Sequence, residues 1–281
     1  MSSYEITMQK SIENIAKTHY ENFPVGSFLI PKHYREPVHL VYTFARVADD
    51  FADEGTMSAA ERMDKLNEWQ HHLHNAVNGA SNVELFVNLS TVMRNFQIPI
   101  QLFDDLLIAF KRDASNSEYQ NFNEVLEYCR FSANPIGRIL LHIFECSTDE
   151  TNRLSDAICT ALQLANFWQD ISVDTSRNRI YIPKSDFVAF NLHSVELQST
   201  ANATAFRELM KTQVERTRTL FETGKPLFLL VNKQFRFELK MIWHGGMRIL
   251  EKIESLNFET RNKRPTLNLF DKLLIVARSL S

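Results

Sequence analysis

The chain has 281 residues, room for one large domain or two small ones, and its net charge of −3 excludes the basic face of a nucleic-acid binder. Glycine and proline are scarce at 7 and 8, and strand-like alternation is rare, so the composition points to an all-α protein whose 21 phenylalanines supply a large core. No stretch approaches the run of about 18 apolar residues that a spanning helix needs; the longest, around 139–144 and 226–231, are far shorter.

Residues 4–22 have the spacing of an amphipathic helix, broken by Phe23-Pro-Val-Gly-Ser27. They lack a basic n-region followed by an apolar run, so no signal peptide is expected. A second helix starts near residues 32–37 and runs through Asp53, and Gly55 stops it. Ser58-Ala-Ala-Glu61 is a capping box that opens a third helix, to about residue 78. Further helices are predicted at about 82–94, 100–113 and 121–145, the last kinked near Asn134 by Pro135. Residues 152–173 read as one helix and 177–183 as a loop. Two long helices, about 201–222 and 232–257, precede the basic link Arg261-Asn-Lys-Arg264-Pro265 and a final helix over 267–279. No repeat or linker divides the chain, so 1–281 reads as a single antiparallel bundle with any ligand site between facing helices. Cys129, Cys146 and Cys159 form no C-x-x-C pair, and reduced, buried thiols of a cytosolic protein are expected.

Two acidic stretches carry the chemistry: Asp49-Asp50-Phe-Ala-Asp53, and Gln163-Leu-Ala-Asn166-Phe-Trp-Gln-Asp170-Ile-Ser-Val-Asp174. Each holds aspartates four residues apart, one above the other on a helix face. Such pairs are common on solvated helices, but these sit in apolar runs and have no lysine four residues on. If the stretches face each other, at least four carboxylates share a cavity; they must raise each other's pKa or bind cations. Mg²⁺ takes only one or two carboxylates and completes its shell with waters and phosphates, which suits sparse aspartates and a diphosphate ligand. The implied chemistry is ionisation of an allylic or cyclopropylcarbinyl diphosphate, with metal stabilising the leaving group. Arg46, Arg177, Arg179 and Arg264 are candidate diphosphate clamps, although surface solubility accounts better for Arg177. A carbocation needs weakly nucleophilic walls, for which Phe28, Tyr42, Phe44, Tyr128 and Phe167 are candidates, although most phenylalanines of a helical protein are core. Gly137 costs a helix about 1 kcal/mol relative to alanine, so its space serves either close helix packing or a ligand tail.

At these residues the chain resembles the squalene/phytoene synthase family of head-to-head prenyl synthases, over nearly its whole length. Tyr42-x-x-x-Arg46-x-x-Asp49-Asp50-x-x-Asp53 is similar to the family's first aspartate-rich motif, Gln163 through Asp174 to the second, and Arg179-Ile-Tyr181-Ile-Pro183 to the loop that follows. The resemblance implies an isoprenoid-synthase helical bundle with a central cavity and prenyl diphosphate substrates. It implies Mg²⁺ held by Asp49, Asp53, Asn166, Asp170 and Asp174, with Gln163 orienting the site. Substrate contacts are implied for Ser27, Phe28, Tyr42, Arg46, Tyr128, Gly137, Arg179, Tyr181 and Arg264.

Four further stretches, Glu21-Asn-Phe-Pro-Val25, Ser132-Ala-Asn-Pro-Ile-Gly-Arg138, Gly245-Gly-Met-Arg-Ile-Leu-Glu251 and Lys263-Arg-Pro-Thr-Leu267, are similar to members that ionise presqualene diphosphate. Those members let water capture the cation, giving hydroxysqualene with no NADPH consumed. Val25-Gly-Ser-Phe28 lacks the lysine that many condensing members carry there, which implies a substrate with one diphosphate. Asn178 stands where relatives often have glycine, and asparagine tolerates left-handed backbone better than most residues. Two alternatives share the family's fold: a condensing prenyltransferase, and a non-catalytic assembly factor, which tends to lose the aspartates kept here. The protein is expected to be cytoplasmic, with a peripheral contact at the inner membrane face, while its oligomeric state is open.

Overall fold

The computed structural model describes residues 31–53, 55–114, 118–198 and 202–280, and all regular structure among them is helical. The helix predicted over 4–22 and the candidate contacts Ser27 and Phe28 lie outside the described residues. The helices are α1 (Lys32–Asp53), α2 (Ala59–Val77), α3 (Glu84–Asn95), α4 (Ile100–Asp113), α5 (Phe122–Ser132) and α6 (Asn134–Ile143). Then come α7 (Asp149–Gln169), α8 (Ile171–Ser176), α9 (Lys184–Ala189), a 3₁₀ turn (Ser194–Gln198), α10 (Ala203–Gly224), α11 (Leu227–Leu230), α12 (Lys233–Ser255) and α13 (Leu269–Leu280). None is long and apolar enough to cross a membrane.

The described residues gather into two compact units. One contains residues 31–114 and Arg138–Ser147, the other residues 118–137 and 148–280, so the chain passes between units three times.

In the first unit α1 to α4 pack pairwise. Val41, Phe44, Ala48 and Ala52 form the inward stripe of α1. Phe44 is fully buried and meets Phe103 edge-on, ring centroids 5.2 Å apart, with Trp69 and Phe86 close by. It is therefore core and not the cavity wall its aromatic character suggested. α1 ends before Gly55, whose φ of +77° is left-handed backbone. The predicted capping box opens α2: Ser58 Oγ accepts from Glu61 N at 3.3 Å, and Ser58 N donates to Glu61 Oε2 at 2.7 Å.

In the second unit α7 is the hub, packed by α5, α10 and α12. Ile158, Ala161, Leu164, Ala165 and Trp168 give it a broad apolar surface. Trp168 Nε1 donates to Thr217 Oγ1 of α10 at 2.9 Å, so even the buried indole N–H is satisfied. Buried Asp186 ties α9 to α10 by accepting from Gln213 and Arg216, each at 2.6 Å. Cys129 sits in this interior and burial pushes its thiol up to about 12; all three cysteines are free.

Two expectations change in detail. The helix over 121–145 is not merely kinked: it breaks at Ala133, and α6 restarts with Pro135 in its first turn, where its missing N–H is harmless. The helix over 152–173 bends at Asp170, whose ψ of 13° is non-helical, so α7 stops at Gln169 and α8 follows.

Candidate functional site

Tyr42, Arg46, Asp49 and Asp53 succeed one another at helical spacing on the flank of α1 beside the buried stripe, and all four are partly exposed. Arg46 Nη1 lies 3.1 Å from Asp49 Oδ2 and its Nη2 lies 2.6 Å from Asp50 Oδ1. Three acids at the C-terminal end of a helix meet the negative end of its dipole, typically unfavourable by about 0.3–1 kcal/mol each. α1 carries no basic residue in its last turn, and the charge is offset instead by Arg46 and by Arg62, whose Nη1 donates to Phe51 O at 3.1 Å.

The second unit repeats the pattern. Asp170 caps the C-terminal end of α7, again without a basic residue in the last turn. The bend there does not separate the predicted residues. Asp170 N donates to Asn166 O at 2.9 Å and Asp174 N to Asp170 O at 2.8 Å, so the one-turn spacing survives. Asn166 Nδ2 also donates to Asp170 Oδ2 at 3.3 Å. Arg264 reaches Asp170 from the segment after α12: Nε donates to Oδ1, and Nη2 to Oδ2 at 3.2 Å. Its guanidinium pKa is raised chiefly by that bond to Asp170, with a smaller contribution from Asp174, against a lowering by burial. Gln169, which the sequence reading passed over, fixes this segment by donating to Pro265 O at 2.7 Å.

Asp174, Arg179 and Tyr181 line one cleft together with Phe167 and Trp168. The turn that forms it is closed by Arg177 N and Arg179 N, both donating to Asp174 O at 2.9 Å. Asn178 takes the left-handed conformation at φ +57°, so asparagine accommodates the turn in place of glycine. Tyr181 stacks on Phe167 with centroids 3.7 Å apart and planes 6° from parallel. Tyr128 stands 6.0 Å from both rings, and Tyr119, also missed, extends the cluster at 5.8 Å from Tyr128.

The second unit thus brings together Tyr128, Asn166, Asp170, Asp174, Arg179, Tyr181 and Arg264, with Gln163 earlier on α7, while Arg177 is exposed. Gly137 does not join them as ligand space. A side chain there would collide with Ser155 Oγ and Cys159 Sγ, so its absence serves the close approach of α6 to α7.

The squalene/phytoene synthase family profile matches residues 16–271. The chain belongs to that family. Its members are enzymes acting on prenyl diphosphates, and so is this one. The hydroxysqualene synthase of Sinorhizobium fredii is 32% identical over 83% of this chain and 80% of its own. That of Zymomonas mobilis is 34% identical over 72% of this chain and 68% of its own. The crystal structure of a squalene synthase from Alicyclobacillus acidocaldarius superposes with a TM-score of 0.82 at 33% identity, covering 92% of this chain and 97% of that one. The shared fold is the helical isoprenoid synthase expected from the sequence.

The residues fit a magnesium–diphosphate group by their donor chemistry. Around the two acidic stretches the predicted ligands are carboxylate and amide oxygens, which are hard donors. Among the described residues no three His, Cys, Asp or Glu side chains gather into a group that could hold a metal ion.

Proposed function

We propose that the protein is a hydroxysqualene synthase, which ionises presqualene diphosphate and lets water capture the rearranged cation, releasing hydroxysqualene and diphosphate. The likeness to hydroxysqualene synthases over most of both chains carries this reading. Asp49, Asp53, Asn166, Asp170 and Asp174 would hold Mg²⁺, which supplies Lewis-acid stabilisation of the departing diphosphate.

The chain's own residues have separable tasks. Arg264 would exchange the Asp170 carboxylate for diphosphate oxygens, which a guanidinium fork can also grip in bidentate fashion, and so release Asp170 for the metal. Arg46 and Arg179 would bind the same group, and Gln163 would orient it. Tyr128, Phe167 and Tyr181 would form an aromatic wall without a strong nucleophile that would trap the cation early. Ser27, Phe28 and Tyr42 would contact the prenyl chains.

The test is incubation of the purified protein with presqualene diphosphate and Mg²⁺ in ¹⁸O-labelled water, without a nicotinamide. A labelled C30 alcohol is expected, and chelating the metal should abolish it. Absence of an oxygenated C30 product would overturn the reading. Consumption of farnesyl diphosphate alone, with a coupled product, would instead identify a condensing enzyme.

A further inference from the structure

α13 is amphipathic in the unexpected direction. Its polar residues Asp271 and Ser279 are buried, while Leu269, Phe270, Leu273 and Leu280 are 73, 68, 61 and 73% exposed. Leu269, Leu273, Val276 and Leu280 follow helical spacing and form one outward stripe. The helix docks on α12 by ion pairs. Asp271 Oδ1 lies 2.7 Å from Arg248 Nη2 and its Oδ2 lies 2.7 Å from Lys252 Nζ. It is started by a reciprocal cap: Asn268 N donates to Asp271 Oδ2 and Asp271 N to Asn268 Oδ1, both at 2.9 Å.

A second apolar step lies on α11, where Leu229 is 78% exposed and Leu230 is also exposed. α11 packs on α12 through Phe228, 5.8 Å from Trp243. The neighbouring His244 is hydrogen-bonded to the backbone of Arg278 on α13, so α11 and the C-terminal part of α13 both meet the middle of α12, at adjacent residues. Fully burying a Leu or Phe side chain is worth about 1.5–3 kcal/mol. A contiguous row left in water is therefore the mark of an interaction surface.

Charge identifies the occupant. Residues 233–280 hold ten lysines and arginines against five acids, a net of about +5 in a chain whose total is −3. The acid of α13 is Asp271, buried and neutralised, whereas Lys272 is exposed on that helix and Arg278 is partly so. Burial lowers the pKa of His244 most, and Arg278, Lys225 and Lys240 lower it further, so three cations border this part of the surface, Lys225 paired with Glu222 and Arg278 with Glu251. A second copy would bring the same basic rim against itself. An apolar helix face with a cationic border is instead complementary to an anionic lipid surface, where leucines enter the acyl boundary and lysines meet the headgroups. We propose that the outward face of α13, with Leu229 and Leu230 of α11, docks this protein on an anionic bilayer. The proposal stands on this surface and not on the reaction assigned above.

The experiment is co-sedimentation of the full chain with vesicles of phosphatidylcholine alone and of phosphatidylcholine with phosphatidylglycerol. Wild type is expected to pellet with the anionic vesicles and to be released by high salt. Phe270→Ser/Leu273→Glu should bind about tenfold more weakly or worse, with an unchanged circular dichroism spectrum and unchanged turnover of detergent-dispersed substrate. Lys272→Glu should weaken binding to the anionic vesicles alone. Wild type remaining in the supernatant, or the double variant binding as well as wild type, would overturn the proposal. So would light scattering that shows a dimer which the double variant dissolves, since a second copy would then occupy the face.

Discussion

Arg264 and Asp170 form a neutral pair from two groups that the proposed reaction would need apart. The guanidinium covers both carboxylate oxygens, and the pair lies at the surface of its unit, where such bridges contribute about 0–1 kcal/mol to stability. Its value is therefore in binding. Arg264→Gln is expected to lower kcat/KM by about 10²-fold or more with little change in Tm, and Arg264→Lys to restore part of the loss, since ammonium supplies charge without the fork. Wild-type kinetics in Arg264→Gln would remove Arg264 from the diphosphate site. Glu238 poses the opposite problem: its Oε2 is buried without a hydrogen-bond partner among the described residues, and burial raises its pKa to about 7. The folded state holds this proton where the unfolded chain has lost it, so stability falls as pH rises from about 4.5 to about 7 and is level above. Glu238→Gln should raise stability at pH 8 by on the order of 2 kcal/mol and flatten that dependence, as denaturant titrations across pH would reveal.

Gly137 separates packing from binding at the level of helices. Because Ser155 and Cys159 of α7 fill the space beside it, Gly137→Val should cost about 1–3 kcal/mol and lower Tm, with substrate affinity altered only through that loss. An unchanged Tm with a raised KM would show that a ligand uses the space after all. Most of the long helices were legible from the sequence because their signals are local: the Ser58–Glu61 box, the left-handed stop at Gly55 and the apolar spacing of α1. Phe44, grouped with Tyr42 as a cavity wall from its aromatic character, is buried instead, since residues two apart point to different sides of a helix. The bend at Asp170 was not legible, because the apolar pattern of α7 runs through it while the carbonyl of Asp170 accepts from both Val173 and Asp174. α9 and α11 are six and four residues long, too short to display a period. The second acidic stretch could be read, but its contacts with Arg264 and Gln169's grip on Pro265 span more than ninety residues and have no local signal.

For the whole molecule, the division into two units predicts its unfolding. Trp69 reports on one unit, and Trp168 and Trp243 on the other. The chain enters the second unit, returns to the first for Arg138–Ser147 and leaves again, so each unit is completed only by a segment reached through the other. Variants retaining Trp69 alone or Trp243 alone should therefore unfold in urea at coincident midpoints, and separate transitions would show that the units are independently stable. The same threading bears on synthesis. When residue 114 leaves the ribosome, α1 to α4 exist but the unit still lacks Arg138–Ser147, and the segment that comes next belongs elsewhere. At about 5–20 residues per second, those missing residues arrive a few seconds later. During that interval the nascent chain carries an unfinished core, and chaperones have their clearest opportunity to bind it.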